Sequence, residues 1–323
     1  MVHAWGDETP FYTYHQYLNN TFGHQIRKIP VDAGFTCPNR DGTCGRDGCT
    51  FCLNEAFAPR YCDSQKRVSQ QVADGVAFHA HRRRNMGAIL VYFQSYSNTY
   101  APLEMLKRRY EEALAVPEVQ GLVIATRPDC LSEETLDYLS ALQKHSYICV
   151  EIGIESLHDK TLRRVNRGHD AACTLHALSA LAQREIPTCG HLIFGLPGET
   201  PEMWMQDIAI LNHVSLSTLK LHQLQILQGT PIAQEYAIQP EDFHSFTAES
   251  YMEFLADYLE RLSPDIAIER LANEVPPRYL NTNTWHGLRH QDIVQGVCVR
   301  LQKRQSWQGI KKAEVSTPPP FVS

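Results

Sequence analysis

The segment Thr36-Cys37-Pro38-Asn39-Arg40-Asp41-Gly42-Thr43-Cys44-Gly45-Arg46-Asp47-Gly48-Cys49-Thr50-Phe51-Cys52 decides how the rest of this chain is read. Five of the ten cysteines lie between positions 37 and 62, and four of those fall in the sixteen residues from Cys37 to Cys52. Crowding of this kind marks a metal site. Zinc takes four ligands in a closed tetrahedron, often as two Cys-x-x-Cys pairs. Here Cys49/Cys52 is the one such pair, so zinc would need Cys44 or Cys62 to complete its set. An iron–sulfur cube also uses thiolates. Cys37-x11-Cys49-x2-Cys52 supplies three and leaves one iron open for a ligand. The spacer glycines let the backbone wrap closely around such a group, and Phe51 would shield one face from water. The cysteines alone favour the cube and leave zinc open. The length, the lack of a leader and the scatter of the other cysteines argue against a disulfide framework.

Outward from this loop, composition sets bounds. A chain of 323 residues buries a large core, enough for one α/β barrel or two smaller domains. With 43% hydrophobic and 20% charged residues it is an ordinary globular protein. No apolar run reaches membrane-spanning length, and the N-terminus has no charged-then-apolar leader, so a cytoplasmic protein is expected. The net charge of −6 argues against a generic nucleic-acid binder.

The pattern around the loop alternates. Short apolar runs at 88–94, 121–126, 147–152, 188–194 and 218–224 suit buried parallel strands, and an initial strand is expected at 25–32, before Cys37. Helical patterns cover 66–84, 102–115, 132–144, 170–184 and 201–213. Ser132 followed by Glu133 and Glu134 is a good helix start, and Pro201 fits a first turn. Strands at intervals of about thirty residues are the rhythm of successive βα units. The expected fold class is therefore α/β with a parallel sheet, open or closed into a barrel. Functional loops belong at the C-terminal ends of such strands, and the cysteine loop falls on that rim. After residue 230 the rhythm changes to helical stretches near 241–261 and 289–304. The Pro318-Pro319-Pro320 tail reads as disordered.

Other rim loops carry unusual residues. Gln94-Ser95-Tyr96-Ser97-Asn98-Thr99-Tyr100 is polar and aromatic. Glu151 and Glu155 put carboxylates at a buried strand end, which is costly unless they are paired or bind a ligand. Glu155 suits a ribose, or else a salt bridge to Arg127 or Arg163. Arg163, Arg164 and Arg167 follow, one of which could clamp a carboxylate; Arg164 reads as a solvated helix end. Gly195-Leu196-Pro197-Gly198 admits a ligand to the backbone beside a helix start.

Taken together, over roughly residues 25–230, these features resemble the radical S-adenosylmethionine (SAM) superfamily. The string Ile29–Gly42 with Gly48-Cys49-Thr50-Phe51-Cys52 is similar to the YhcC/YtqA-type family. So are Gln94-Ser95-Tyr96, Thr126-Arg127-Pro128-Asp129, Glu151–Ser156, Asn166-Arg167-Gly168-His169 and Gly195–Thr200. More distantly the chain is similar to the Elongator catalytic subunit and oxygen-independent coproporphyrinogen oxidase. The resemblance implies a partial (β/α)6 TIM-like barrel over 25–230. An N-terminal extension at 1–24, a C-terminal helical region at 231–312 and a disordered tail at 313–323 complete the division. It implies a [4Fe–4S] cluster on Cys37, Cys49 and Cys52, although Cys44 offers an alternative trio. Cys62 reads as a bystander or a ligand for something else, and Cys130, Cys149, Cys173, Cys189 and Cys298 as small core residues. The implied chemistry is reductive cleavage of SAM to methionine and a 5′-deoxyadenosyl radical that takes hydrogen from a substrate. The implied SAM contacts are Gln94, Ser95 and their neighbours for the amino group, Glu155 for the ribose, Arg167 for the carboxylate, and the backbone of Phe194, Gly195 and Leu196 for adenine. An electron donor such as flavodoxin or ferredoxin is implied as a partner.

The substrate is less legible. From Trp285 to Lys312 six basic residues face one acidic residue, a balance of +5, and Arg82-Arg83-Arg84 and Lys107-Arg108-Arg109 add two clusters. With Trp285 and Trp307 interleaved, they suggest tRNA, and kinship with the Elongator subunit suggests wobble-uridine modification. The alternatives are a small-metabolite radical enzyme and a zinc-stabilised binding module without catalysis.

Overall fold

The strand at the head of the cysteine loop is the first of seven, all parallel and laid down in chain order. The computed structural model describes residues 2–80, 87–281, 285 and 287–315. The strands are β1 (Ile26–Val31), β2 (Ala88–Phe93), β3 (Val119–Thr126), β4 (Tyr147–Glu155), β5 (Thr188–Phe194), β6 (Thr218–Gln223) and β7 (Ala267–Arg270). The helices are α1 (Tyr14–Phe22), α2 (Val68–Ala80), α3 (Leu103–Leu114), α4 (Glu133–Gln143), α5 (Asp159–Arg164), α6 (Ala171–Gln183), α7 (Pro201–Leu211), α8 (Pro231–Ile238), α9 (Ala248–Arg261) and α10 (His290–Lys303). Ser132 caps α4 by accepting from the Thr135 N–H at 3.2 Å, and Asp170 caps α6 through Cys173 N–H at 2.8 Å.

The sheet curls into a half-barrel. Its convex face carries Ile29, Val31, Val91, Phe93, Leu122, Ile124, Val150, Ile152, Leu192, Phe194, Leu219 and Leu221, buried in one core under the helices. Its concave face is layered. At the N-terminal ends Ile26, Leu90, Val123, Cys149 and Cys189 pack with Leu18 of α1 into an apolar plug. One side-chain repeat further along, the inner positions become charged or polar, and they line the cavity described below. Strands buried on both faces lose the apolar/polar alternation wherever both sides are hydrophobic. That is why these runs are visible in the sequence.

Between the edge strands β1 and β7 the barrel is bridged rather than paired. Ile268 N–H donates to the Tyr12 carbonyl at 2.7 Å, α1 packs against both edges, and Lys28 of β1 reaches Glu269 of β7 at 2.7 Å. Strand β7 lies in the stretch expected to be helical, so the C-terminal region also contributes to the sheet, and the parallel strands number seven rather than six.

Much of the basic C-terminal stretch is spent internally. Arg300 of α10 pairs with Glu249 and Glu253 of α9, Arg304 with Glu253, Asp257 and Glu260, and Lys311 with Glu260. The sequence count of +5 stopped short of this acidic face. Trp285 is buried, donates its indole N–H to the Phe246 carbonyl at 3.1 Å and packs on Tyr251, so it presents no stacking face. Lys107 pairs with Glu104. The Arg82-Arg83-Arg84 cluster and the tail beyond 315 lie outside the described residues.

Candidate active site

The cysteine loop leaves β1 and is pinned to the turn between α5 and α6. Thr50 N–H donates to the Val165 carbonyl at 3.0 Å, Asn166 Nδ2 donates to the Gly48 carbonyl at 2.7 Å, and Asn39 Nδ2 donates to the Asn166 carbonyl. Cys52 N–H closes a tight turn on the Cys49 carbonyl at 3.0 Å. The result is that Cys37, Cys49 and Cys52 all line one cavity of about 820 Å³ at the C-terminal ends of the strands. Cys44 is exposed on the outside of the loop, and the Cys62 thiol donates to the Pro30 carbonyl at 3.3 Å; neither lines that cavity. Burial, and then neighbouring Cys49, push the Cys52 thiol up to about 11.

Two guanidiniums stand beside these sulfurs. Arg167 is held by the Gly153 carbonyl at 2.7 Å, lies 3.5 Å from Cys49 Sγ and 3.4 Å from Glu155, and its Nε is buried without a partner. Arg127 chelates Asp129 through Nε and Nη2 at 2.8 and 2.7 Å and leaves Nη1 buried and unpaired. Asn39 donates to Cys49 Sγ at 3.7 Å. Three thiols on one wall, with donors and cations aimed at them, fit a thiolate-held group of negative charge, since hydrogen bonds and nearby cations stabilise such sulfurs. The backbone is shaped for this. β4 breaks register between Gly153 and Glu155, and Glu155 takes a left-handed φ of 63°. An ideal Cβ on Gly153 would stand 2.5 Å from Arg167 Nη2 and 2.5 Å from Glu155 Oε1, so only glycine leaves room for the pair.

Deeper in the cavity lies a charged layer. Glu151 accepts from Lys28, from Lys220 at 2.7 Å and from His191 at 3.0 Å, and Glu269 joins both lysines. Burial pushes the Glu151 carboxyl up, yet Lys220 and Lys28 hold it well below the ordinary carboxylate range. Glu151, Cys189 and His191 have ligand atoms within 4.8 Å of one another, but two ammonium groups on the same carboxylate oppose a cation there.

Comparison with known proteins identifies the family. The radical SAM superfamily model matches residues 39–211, more than half of the chain, and the radical SAM C-terminal domain model matches residues 216–299. YtqA of Bacillus subtilis is 32% identical over 302 residues, covering 94% of this chain and 92% of that protein. The chain belongs to the radical SAM superfamily. YhcC of Escherichia coli is also 32% identical, over 256 residues, 79% of this chain and 81% of that one, so the YhcC/YtqA-type family is shown as well. A tRNA uridine(34) acetyltransferase of Methanocaldococcus infernus is 24% identical over 182 residues, 54% of this chain and 33% of that protein. Among solved structures, the Methanocaldococcus infernus Elp3 with an N-terminal deletion superposes with a TM-score of 0.66 at 14% identity, over 88% of this chain and 64% of that one.

This radical SAM enzyme uses SAM and a [4Fe–4S] cluster, as its family does. Of the residues the sequence singled out, Cys37, Cys49, Cys52, Gln94, Glu155 and Arg167 share the cavity wall. Ser95 is buried off that wall, where its neighbours Tyr96 and Ser97 line it instead. Phe194, Gly195 and Leu196 are off the cavity lining: Phe194 packs on Trp204, Phe254 and Tyr258, and Leu196 on a separate apolar cluster with Val165 and Phe243. At the β5 and β6 ends the lining residues are Ile193, Leu224 and Gln225. Glu155 pairs with Arg167, not with Arg127 or Arg163. Arg164 is half-buried between Glu235 and Asp242 rather than solvated. Sequence reasoning missed Lys28, Tyr92, His191, Lys220, His222 and Glu269. Their signal was a polar residue at every second position of an otherwise apolar strand, as in Leu219-Lys220-Leu221-His222.

Proposed function

We propose that Cys37, Cys49 and Cys52 hold the [4Fe–4S] cluster and that the enzyme modifies a nucleobase in tRNA, the wobble uridine being the favoured target. The observation that carries the first part is that these three thiols share one cavity wall while Cys44 and Cys62 stand off it. Cluster and SAM, when bound there, supply one-electron cleavage of the sulfonium and hydrogen abstraction. The chain's own residues bind and orient. Arg167 offers its unpaired Nε to a carboxylate, Glu155 offers acceptors to ribose hydroxyls, and Gln94 faces the amino end. Ile193 and Leu224 give an adenine an apolar wall at the β5 and β6 ends. The half-buried Phe51 and Phe57 also line the cavity and exclude water from the reacting region.

Two observations support the tRNA reading. Exposed Arg40, Arg270 and Arg289 stand on the cavity rim, where a phosphate backbone would meet them. A relative matched over 54% of this chain carries the name tRNA uridine(34) acetyltransferase. The support comes from this rim and not from Arg300 and Arg304, whose charges are paired with α9. In this reading the protein works in the cytoplasm with a flavodoxin or ferredoxin as electron donor. Mass spectrometry of nucleosides from tRNA of a strain lacking the gene tests it. Loss of one modified wobble uridine is expected; an unchanged nucleoside profile overturns the tRNA target and favours a small metabolite.

A further inference from the structure

The charged layer below the proposed SAM site is built from four buried side chains, Lys28, Glu151, Lys220 and Glu269. Buried ion pairs of this kind are commonly replaceable by apolar side chains at no loss of stability. Lys28 and Lys220 are each shared between Glu151 and Glu269, so two cations and two anions cancel. The Tyr92 ring lies under both ammonium groups, 4.7 and 4.8 Å from them, and its hydroxyl is 3.4 Å from Lys220 Nζ. One repeat nearer the cavity mouth on β6 stands His222, its ring 5.6 Å from that of His191. Its Nδ1 is shielded from solvent and has no hydrogen-bond partner among the described residues, although the side chain lines the cavity. Burial, then His191, Arg270 and Lys220, keep this imidazole neutral, so it carries one donor and one acceptor.

Such a floor discriminates by charge. A ligand carrying several carboxylates finds neither lysine of this layer uncompensated, because each already serves two carboxylates. A ligand with several cationic groups meets the same balance reversed. A neutral ring with alternating N–H and C=O groups finds acceptors and donors side by side and disturbs no net charge.

We propose that this floor is the subsite for the reacting group of the substrate, and that it takes a neutral amide-edged ring, as in a uracil base, through His222 and the Tyr92–Lys220–Glu269 side of the layer. The proposal rests on the cavity being the SAM and substrate cavity, and it deepens that reading by naming the head group and the side chains that select it. Base and free nucleoside share this chemistry, and the experiment separates them.

The test uses the reconstituted, SAM-loaded full chain under anaerobic conditions and three probes. They are an anticodon stem-loop RNA with uridine at its first anticodon position, the same RNA with an abasic site there, and free uridine. The parent protein is expected to hold the uridine stem-loop about ten-fold tighter than the abasic one, the worth of one to two hydrogen bonds. His222→Ala is expected to erase that difference without weakening the abasic stem-loop, and His222→Asn, which keeps a donor and an acceptor, to restore part of it. Equal parent affinity for the two stem-loops overturns the subsite and leaves the RNA reading standing. Discrimination that persists in His222→Ala overturns the assignment to this layer. Free uridine binding that His222→Ala abolishes, with neither stem-loop bound, upholds the subsite and overturns the RNA reading. Binding of no probe overturns both.

Discussion

Gly153 shows how much of this site is settled by a single side chain, or by its absence. Arg167 donates to its carbonyl while reaching Cys49 and Glu155, and the space a Cβ would need is filled by those two side chains. Gly153→Ala therefore shifts the ends of the Arg167 and Glu155 side chains out of this arrangement. The expected outcome is at least about a ten-fold loss of SAM affinity by equilibrium dialysis, from the displaced clamp. Glu155→Ala removes the acceptor and, with it, the ion pair to Arg167. SAM affinity should fall by about ten-fold while iron content per chain stays that of the parent; unchanged affinity removes Glu155 from the site. At this scale the sequence was informative about the cysteines, because thiols crowded into one loop of a long chain without a disulfide framework point to a metal. It was uninformative about who pairs with Glu155. That depends on the register break in β4 and on a turn eleven to twelve residues downstream bringing Arg167 back over Gly153.

Among the elements, the α9–α10 pair is held by charge as well as by apolar contact. Burial pushes the Glu260 carboxyl up, but the hydrogen bond from Lys311 and the charges of Lys311 and Arg304 outweigh it, and the carboxyl sits below its ordinary value of 4.5. A carboxyl depressed in the folded state stabilises the fold above its unfolded pKa. That contribution fades as pH falls through the folded value. Glu260→Gln should thus melt lower than the parent at pH 7, by about 1–2 kcal/mol or a few degrees. The gap should close on acidification from pH 5 to pH 3, followed by circular dichroism. A gap independent of pH would deny the ionic role. The same helices explain why the basic stretch misled: its partners Glu249, Glu253, Asp257 and Glu260 lie forty to fifty residues earlier in the chain, beyond any local count. Strand β7 escaped for another reason. Ala267-Ile268-Glu269-Arg270 is four residues long and half polar, and its place in the sheet comes from contacts with β6 and residue 12 rather than from periodicity. The long strands β3, β4 and β5 were legible because apolar residues face both the helices and the plug. No helix among the described residues is long and apolar enough to cross a membrane.

For the whole molecule, a seven-stranded half-barrel sets its cysteine loop, its paired Arg167 and Glu155, and its charge-balanced floor around one cavity. The α/β class and its parallel sheet followed from the βα rhythm, and the partial barrel from the family resemblance. The floor did not, since Lys28, Lys220 and Glu269 look like surface residues until seven strands turn them inward. The most direct measurement of the central claim is iron and sulfide content after anaerobic reconstitution of five single variants, Cys37→Ser, Cys44→Ser, Cys49→Ser, Cys52→Ser and Cys62→Ser. The account predicts about four iron per chain for the parent and for the Cys44 and Cys62 variants, with near-complete loss for the other three. Retention of the full complement in Cys37→Ser, or its loss in Cys44→Ser, would contradict it.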